Sequence, residues 1–206
     1  MSYAAVSASL GWLAVLAGVV GTYAQFRRVS TLGVAGVSLA TWSLFALMGC
    51  FWISYGFAAH SAQVTAGSLI ILPMQAAIVY RLRPWERWGV LVRALGAFVA
   101  CCVVPTVLLG WAGGVYGTGV AMTINRLPQL LELVRHPDAS GVSAGTWYLG
   151  VAGALCWVLY YTGAHLWAAL VSTAVAGLAN LVIALLTSWR HAQGPRPWAV
   201  DEAYAV

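Results

Sequence analysis

The chain has 206 residues, of which 62% are hydrophobic and only 7% are charged. A typical soluble domain has about 25% charged residues, and a soluble protein of this length lacks the interior to hide so much apolar surface. The composition therefore excludes an ordinary soluble globular protein and predicts an all-α membrane protein. The length allows about seven membrane spans joined by short turns.

The ten basic residues are all arginine and are scattered among predicted loops, so the net charge of +5 does not indicate a nucleic-acid surface. The absence of lysine excludes a retinal pigment, which needs a lysine for its Schiff base. The four cysteines lie in apolar runs without metal-ligand spacing, and no nucleotide-binding motif is present. We therefore expect no metal, no cofactor, no enzymatic activity and no nucleic-acid partner.

Seven apolar runs predict seven transmembrane helices, at roughly 4–23, 37–57, 62–80, 88–109, 112–127, 142–161 and 166–188. Short turns separate them, among them the arginine-containing turn at 27–33. Pro73 and Pro105 fall within the third and fourth runs, where each is expected to kink its helix. The segment after Ser188 contains a Gly-Pro-Arg-Pro stretch and is expected to be a disordered tail.

The placement of arginine predicts the orientation of the chain. Arginines follow the first, third, fifth and seventh runs, whereas the loops after the second, fourth and sixth runs contain none. Cytoplasmic loops of membrane proteins are rich in arginine and lysine, so the N-terminus is expected outside the cell membrane and the C-terminus in the cytoplasm. Two parallel three-helix repeats and one linker helix follow from this count (3+1+3). The predicted parts are the first repeat, the linker, the second repeat and the tail, at 1–82, 83–111, 112–188 and 189–206.

An internal duplication relates the two predicted repeats. At an offset of 105 positions, about ten of the 25 residues in 36–60 are identical, against about two or three expected by chance. The identities include the Gly-Val-Ser stretches at 36–38 and 141–143. In a membrane protein with duplicated halves, a site is expected where the halves meet, near the middle of the bilayer.

The distribution of charge within the runs bears on whether the protein could couple its activity to protons. The acidic residues all fall in predicted cytoplasmic turns or the tail, at Glu86, Glu132, Asp138, Asp201 and Glu202. Proton-coupled carriers usually need a carboxylate inside the membrane, so downhill transport of a neutral solute is expected. Arg93 and Arg126 lie just inside the fourth and fifth runs and are expected to reach the interface by snorkelling.

The motifs resemble the PQ-loop superfamily. Leu127-Pro128-Gln129 is followed by a basic turn, a Gly-Val-Ser stretch and a helix that ends in Trp-x-x-Tyr. The stretch Trp52-Ile53-Ser54-Tyr55-Gly56 is most similar to the SWEET and SemiSWEET branch of sugar transporters. The resemblance covers nearly the whole chain from about residue 4 to 188. It implies the same 3+1+3 arrangement and alternating access around one central site.

The resemblance also implies a pair of tryptophans that flank the sugar, and Trp52 and Trp157 match this pair by position. An aromatic face packs well against the C–H face of a pyranose ring. The alternative is that both are interfacial tryptophans, which are common in membrane proteins. Trp42 and Trp147 form another matched pair, for which packing is the better interpretation.

The chain departs from the family where two sugar-binding asparagines are normal. The corresponding positions, sixteen residues after each tryptophan, are Ser68 and Thr173. A hydroxyl makes fewer simultaneous hydrogen bonds than a carboxamide, which puts the sugar preference in question. Gln75 and Asn180 form a second polar pair, about two turns deeper, that is expected to line the pathway or to bond across helices.

Gate and hinge residues are likewise implied by the resemblance. Pro128, with Gln129, matches the hinge proline, but its partner in the first half is Ala24, beside Gln25. Tyr55 and Tyr160 resemble the outer gate. His60 and His165 lie nearby, where a pH-sensing role and a plain loop position are both open.

We therefore expect a SWEET-like uniporter that moves a small neutral sugar down its gradient, with the lipid bilayer and the solute as its partners. Two alternatives remain. One is a PQ-loop carrier of an amino acid or other small metabolite, which the missing asparagines favour. The other is a non-transporting receptor like the KDEL receptors, for which only Arg93 and Arg126 could grip a charged ligand. Homo-oligomerisation is left open.

Overall fold

The computed structural model describes residues 3–136, 138–163 and 167–193. The protein is 88% helical, and no strand occurs among the described residues. This confirms the all-α class. The helices are α1 (Tyr3–Leu32), α2 (Leu39–Ala58), α3 (Ala62–Arg81), α4 (Trp88–Phe98), α5 (Val104–Ile124), α6 (Leu127–Arg135), α7 (Ala144–Gly163) and α8 (Trp167–Gln193).

Five helical stretches in the described part are long and apolar enough to cross a membrane, namely Ser9–Leu32, Leu39–Ala58, Ala62–Arg81, Trp88–Arg135 and Thr173–Gln193. A shorter apolar helical stretch covers Ala144–Tyr160. Large apolar side chains face outward on these helices, with Val107, Leu108 and Leu109 more than 70% exposed. Such a surface needs lipid to cover it. The multi-pass membrane character predicted from composition is therefore supported.

Two helices are longer than the apolar runs that predicted them. Helix α1 continues through the predicted turn at 27–33 as far as Leu32, so the prediction of a turn beginning at Arg27 was wrong. Helix α8 extends to Gln193, five residues beyond the predicted end of its span. The extensions are held by tertiary contacts: Arg28 Nε donates a hydrogen bond to the Ser140 carbonyl at 2.7 Å, and His191 Nε2 lies 2.9 Å from the Ala139 carbonyl oxygen. Residues 194–206 lie outside the described residues.

The long stretch Trp88–Arg135 is interrupted at Gly110, whose φ of 69° and ψ of −167° are not helical. The segments on either side fold back on each other. A Cβ atom at Gly113 would collide with the Pro105 carbonyl, and one at Gly117 would collide with the Cys101 carbonyl. Glycine at these positions lets two helix backbones approach more closely than any side chain permits.

Pro105 explains the irregular backbone just before this reversal. Proline has no N–H to bond to the carbonyl four residues earlier, and its ring would clash with that carbonyl. The chain responds with a π-helical segment, Val99–Val103, and the Thr106 hydroxyl donates to the Cys102 carbonyl at 2.6 Å. Pro73 differs, because α3 remains one continuous helix from Ala62 to Arg81 around it.

The helices pack in two related groups. Helix α3 contacts α1 and α2, while α8 contacts α5 and α7. Helix α1 also packs on α7 along small residues, since Gly21 lies against Thr146 and Gly153 against Ala14 and Ala17. The two groups therefore meet at two places. On one side α1 packs against α7, and on the other side α2 packs against the segment formed by α5 and α6.

Candidate functional site

Two buried glutamines tie each half of the protein to a loop of the other half. Gln25 Nε2 donates to the Gly141 carbonyl at 2.8 Å, and its Oε1 accepts from the Ser143 N–H at 2.7 Å. Gln129 Nε2 donates to the Gly36 carbonyl at 2.7 Å, and its Oε1 accepts from the Ser38 N–H at 2.9 Å. The two sets of contacts are the same with the halves exchanged.

In each Gly-Val-Ser stretch, the serine caps a helix and the glycine lies where two loops cross. Ser38 and Ser143 immediately precede α2 and α7, where their hydroxyls accept from the N–H groups of Thr41 and Thr146. The glycines lie where the two loops cross. A Cβ at Gly36 would be 2.7 Å from the Asp138 carbonyl oxygen, and one at Gly141 would be 2.5 Å from that of Gly33.

A further pair of hydrogen bonds repeats the same exchange inside the bundle. Thr41 Oγ1 donates to the Asn125 carbonyl at 2.7 Å, and Thr146 Oγ1 donates to the Gly21 carbonyl at 2.6 Å. Both carbonyls lie four residues before the glutamine of their own half. The duplication seen in the sequence is thus matched by a two-fold pattern of contacts between the halves.

This end of the bundle, which we call the glutamine end, is closed by a packed apolar cluster drawn from both halves. Trp42 and Trp147 belong to it and are 2% and 3% exposed. Its other buried members are Val29, Val37, Leu39, Ile78, Leu82, Leu133, Ala139, Val142, Ile183 and Ala184. Since the cluster includes side chains from α1, α2, α3, α6, α7 and α8, separating the halves here would require it to open.

The opposite end, which we call the aromatic end, has the paired tryptophans and tyrosines. The Trp52 and Tyr55 rings lie 5.7 Å apart with an interplanar angle of 79°, and the Trp157 and Tyr160 rings lie 5.8 Å apart at 80°. All four side chains are half-buried. The structure therefore places each tryptophan beside its tyrosine, with the same geometry in both halves.

The first-half pair has additional aromatic neighbours. Phe51 contacts Trp52 edge-on at 5.4 Å and is stacked parallel to Tyr55 at 6.3 Å. Trp111, which follows the chain reversal at Gly110, lies 5.8 Å from both Phe51 and Tyr55. The sequence did not single out Trp111, because it has no aromatic counterpart at the matching position of the other half.

The predicted polar residues differ in their environments. Ser68 and Thr173 are half-buried on α3 and α8. Gln75 and Asn180 are buried, at 8% and 4% exposure. Gln75 Oε1 has no hydrogen-bond partner among the described residues, whereas Asn180 Oδ1 accepts from Arg126 Nε at 2.6 Å.

Arg126 corrects the expectation that this side chain snorkels to the interface. It is only 5% exposed and bonds within the protein, to Asn180, to Asn125 Oδ1 at 2.9 Å and to the Met122 carbonyl. Its guanidinium carbon lies 5.6 Å from the centre of the Phe45 ring. An arginine inside an apolar run without a carboxylate is itself a signal of function, and this signal is present in the sequence. Arg93, by contrast, is exposed.

The hinge residues lie at an interruption in one half only. Asn125 and Arg126 form a turn between α5 and α6, and Pro128 occupies the first turn of α6, where a missing N–H costs least. Ala24 lies inside the unbroken helix α1. The asymmetry expected from the single proline therefore appears as a turn between α5 and α6 in the second half, where the first half has one continuous helix.

The remaining features add little to the site. A groove on the protein surface is lined by Phe26, Ala76, Ala77, Tyr80 and Arg81, and none of these is a predicted solute ligand. His60 is exposed at the end of α2 with a φ of 51°, and His165 lies outside the described residues. No group of His, Cys, Asp and Glu in the described part could hold a metal ion.

Comparison with protein-family models, curated proteins and solved structures finds no match.

Proposed function

We propose that the protein is a small-solute transporter that works by alternating access between two related halves. The reciprocal bonds of Gln25 and Gln129 are the observation on which this depends most. They relate the halves by exchange, as expected for a duplicated transporter with its site between the repeats. The break at Gly110 and the packing of α3 and α8 within their groups support a 3+1+3 arrangement with the segment from α4 to Gly110 as the linker.

The glutamine end is proposed to be cytoplasmic. Arg27 and Arg28 lie near the end of α1, Arg135 ends α6, and Arg190 lies near the end of α8, so all are at this end. Cytoplasmic ends of membrane helices are rich in arginine. The N-terminus would then be outside the cell membrane and the inner gate would be the closed one.

A sugar-sized solute is the first cargo to test. The Trp52–Tyr55 and Trp157–Tyr160 pairs offer half-buried aromatic faces of matching geometry in both halves, and aromatic faces pack against the C–H face of a sugar ring. Ser68, Thr173, Gln75 and Asn180 supply the hydroxyl and amide groups that would bond its polar edge. The four polar residues belong to α3 and α8, the equivalent third helices of the two halves.

The test is uptake of radiolabelled glucose and sucrose into proteoliposomes, with and without an imposed pH gradient. Saturable flux that ignores the gradient is the expected result, because no described carboxylate lies at a position where it could take up a proton within the bundle. Flux that follows the gradient would contradict uncoupled transport. Absence of sugar flux, with uptake of an amino acid instead, would favour the metabolite carrier.

Replacing both Trp52 and Trp157 by alanine is expected to lower uptake at least tenfold while leaving the amount of folded protein unchanged. Each aromatic contact contributes about 0.5–1.5 kcal/mol beyond its buried area, and the double variant removes one on each side. The matched control is Trp88→Ala, since Trp88 is 66% exposed at the start of α4. Uptake that survives the double replacement would remove these residues from the site.

A further inference from the structure

Arg126 is a buried cation whose hydrogen-bond acceptors are all neutral. Its Nε and Nη1 atoms donate to Asn180 Oδ1, Asn125 Oδ1 and the Met122 carbonyl. Moving an arginine to the middle of a bilayer costs about 2.5–3.5 kcal/mol on insertion scales. A buried cation without a counterion leaves much of this cost uncompensated.

The carboxylates of the described residues are occupied elsewhere. Glu86 pairs with Arg83 at 3.2 Å, Glu132 lies 3.6 Å from His136, and Asp138 accepts from the Ser140 N–H at 2.8 Å. None pairs with Arg126. The positive charge therefore stands without a counterion in the part of the chain that the structure describes.

A purely structural role accounts for only some of the N–H groups of the Arg126 guanidinium. Its bond to the Met122 carbonyl satisfies one of the last carbonyls of α5, which is a normal capping contact. That contact does not involve Nη2, from which no hydrogen bond is found among the described residues. The two N–H groups of Nη2 are thus unused by the described residues.

Two more buried polar atoms have no partner in the described part of the chain, one on the residue next to Arg126 and one on α3. Asn125 is 1% exposed, and its Nδ2 has no partner among the described residues although its Oδ1 touches Arg126. Gln75 Oε1 is also buried without a partner and faces Gly49, one turn along α2 from the Phe45 ring under Arg126. Unsatisfied buried donors and acceptors are rare and call for a ligand or water. Here the donors flank a positive charge and the acceptor suits a hydroxyl.

The position of this cluster is where the halves meet. The Phe45 ring lies 5.6 Å from the Arg126 guanidinium carbon and 6.4 Å from the Trp147 ring of the other half. Asn180 and Gln75 are the matched polar pair of α8 and α3. The cluster therefore lies on the proposed pathway, next to the closed glutamine end.

We propose that the transported solute carries a carboxylate, which Arg126 and Asn125 bind while Gln75 accepts a hydrogen bond from a solute hydroxyl. The inference rests on the proposed transport function and replaces a neutral sugar by an acidic one of similar size. A hydrogen bond from an arginine N–H to a carboxylate is charge-assisted and about twice as strong as one between neutral groups, and Nη2 of Arg126 is free to donate it. Binding would supply the counterion that the protein itself lacks at this point.

The test compares glucuronate with glucose, two probes that differ only at C6, where glucuronate has a carboxylate and glucose a hydroxymethyl group. Uptake into proteoliposomes and thermal stabilisation of the purified full chain are measured for both. Wild-type protein is expected to take up and be stabilised by glucuronate, at least tenfold more effectively than by glucose. Arg126→Gln is expected to lose at least tenfold in glucuronate affinity, and Arg126→Lys to lose less, since lysine keeps the positive charge but not the Nη2 group.

Two further variants separate binding from folding. Asn125→Asp places a carboxylate beside Arg126, at an oxygen position now 2.9 Å from Nη1. This internal counterion is expected to maintain or raise the unfolding temperature while glucuronate affinity falls at least tenfold. Arg93→Gln, at an exposed arginine of α4, is the control that should change neither. The Asn125→Asp variant also keeps the test decisive if Arg126→Gln does not fold.

The outcomes distinguish this inference from the transport proposal. Glucose uptake that exceeds glucuronate uptake and is unaffected by Asn125→Asp would overturn the carboxylate assignment and leave transport standing. Stabilisation by glucuronate that Asn125→Asp abolishes, without flux, would support the site while transport fails. Stabilisation by chloride equal to that by glucuronate, or no stabilisation and no flux with either probe, would overturn the inference.

Discussion

Gln129→Ala is expected to lower the free energy of unfolding by about 2–6 kcal/mol, since two buried backbone groups lose their partners at about 1–3 kcal/mol each. The groups are the Gly36 carbonyl and the Ser38 N–H, both held by the carboxamide of a fully buried side chain. Unfolding of the purified protein in detergent, followed by circular dichroism, measures the loss. Gln25→Ala is expected to cause a similar loss, because its two contacts are the counterparts of these.

The control is Gln193→Ala, at an exposed glutamine at the end of α8, which is expected to change stability by less than about 0.5 kcal/mol. The double variant of Gln25 and Gln129 should lose less than the sum of the single losses. The two loops also bond directly, since the Gly141 N–H donates to the Ala35 carbonyl at 3.1 Å. If either single variant separates the loops, this bond is already lost, so the double variant does not lose it a second time. A loss from Gln129→Ala no larger than that of the control would contradict the assigned role.

Gly117→Ala is expected to cost about 3 kcal/mol or more, at the upper end of the range for overpacking. The added Cβ would collide with the Cys101 carbonyl in the segment that folds back before Gly110. That carbonyl belongs to the π-helical segment that Pro105 imposes, so a fixed backbone rather than a flexible side chain opposes the new atom. The unfolding temperature and the yield of monodisperse protein measure the effect.

Gly96→Ala is the matched control in the neighbouring helix α4, where a Cβ would meet nothing within 4 Å. Alanine there is expected to leave stability unchanged or to raise it by up to about 1 kcal/mol, since alanine forms helix more readily than glycine. Equal effects of the two substitutions would show that the helices at Gly117 do not approach as closely as described.

Several properties of the protein could be predicted from the sequence because they depend on composition and local pattern. The helical class follows because only segments that satisfy their own backbone hydrogen bonds can cross the hydrocarbon region. Long apolar runs predict the helices at α2 and α3 within two residues at each end. The identities at an offset of 105 predict related halves, and the contacts of the two glutamines, which lie 104 positions apart, show the same exchange of halves. The seven-helix 3+1+3 arrangement and the sugar cargo remain predictions.

Helix ends depended on contacts that no local pattern contains. The arginines in the turn predicted at 27–33 marked a loop by polarity, yet the backbone stays helical to Leu32. Arg28 can remain helical because its side chain bonds to Ser140, 112 positions away. Polarity measures the cost of placing a residue in lipid, and it does not show whether the backbone continues as helix beyond the lipid.

The sequence by itself therefore determined that the protein needs a lipid environment, that it is helical, that it contains a duplication, and which residues form matched pairs. Only the tertiary structure decided which partners those residues have. In the sequence Gln25 is noted only as the neighbour of Ala24 in the predicted hinge, and its hydrogen bonds to Gly141 and Ser143 appear only in the folded chain. From the sequence, the Arg126 side chain could face either water or the protein interior. In the structure it is buried, because it packs on Phe45 of α2 and bonds to Asn180 of α8. The physical reason is that hydropathy acts on each segment separately, whereas a buried hydrogen bond requires two segments distant in sequence to meet.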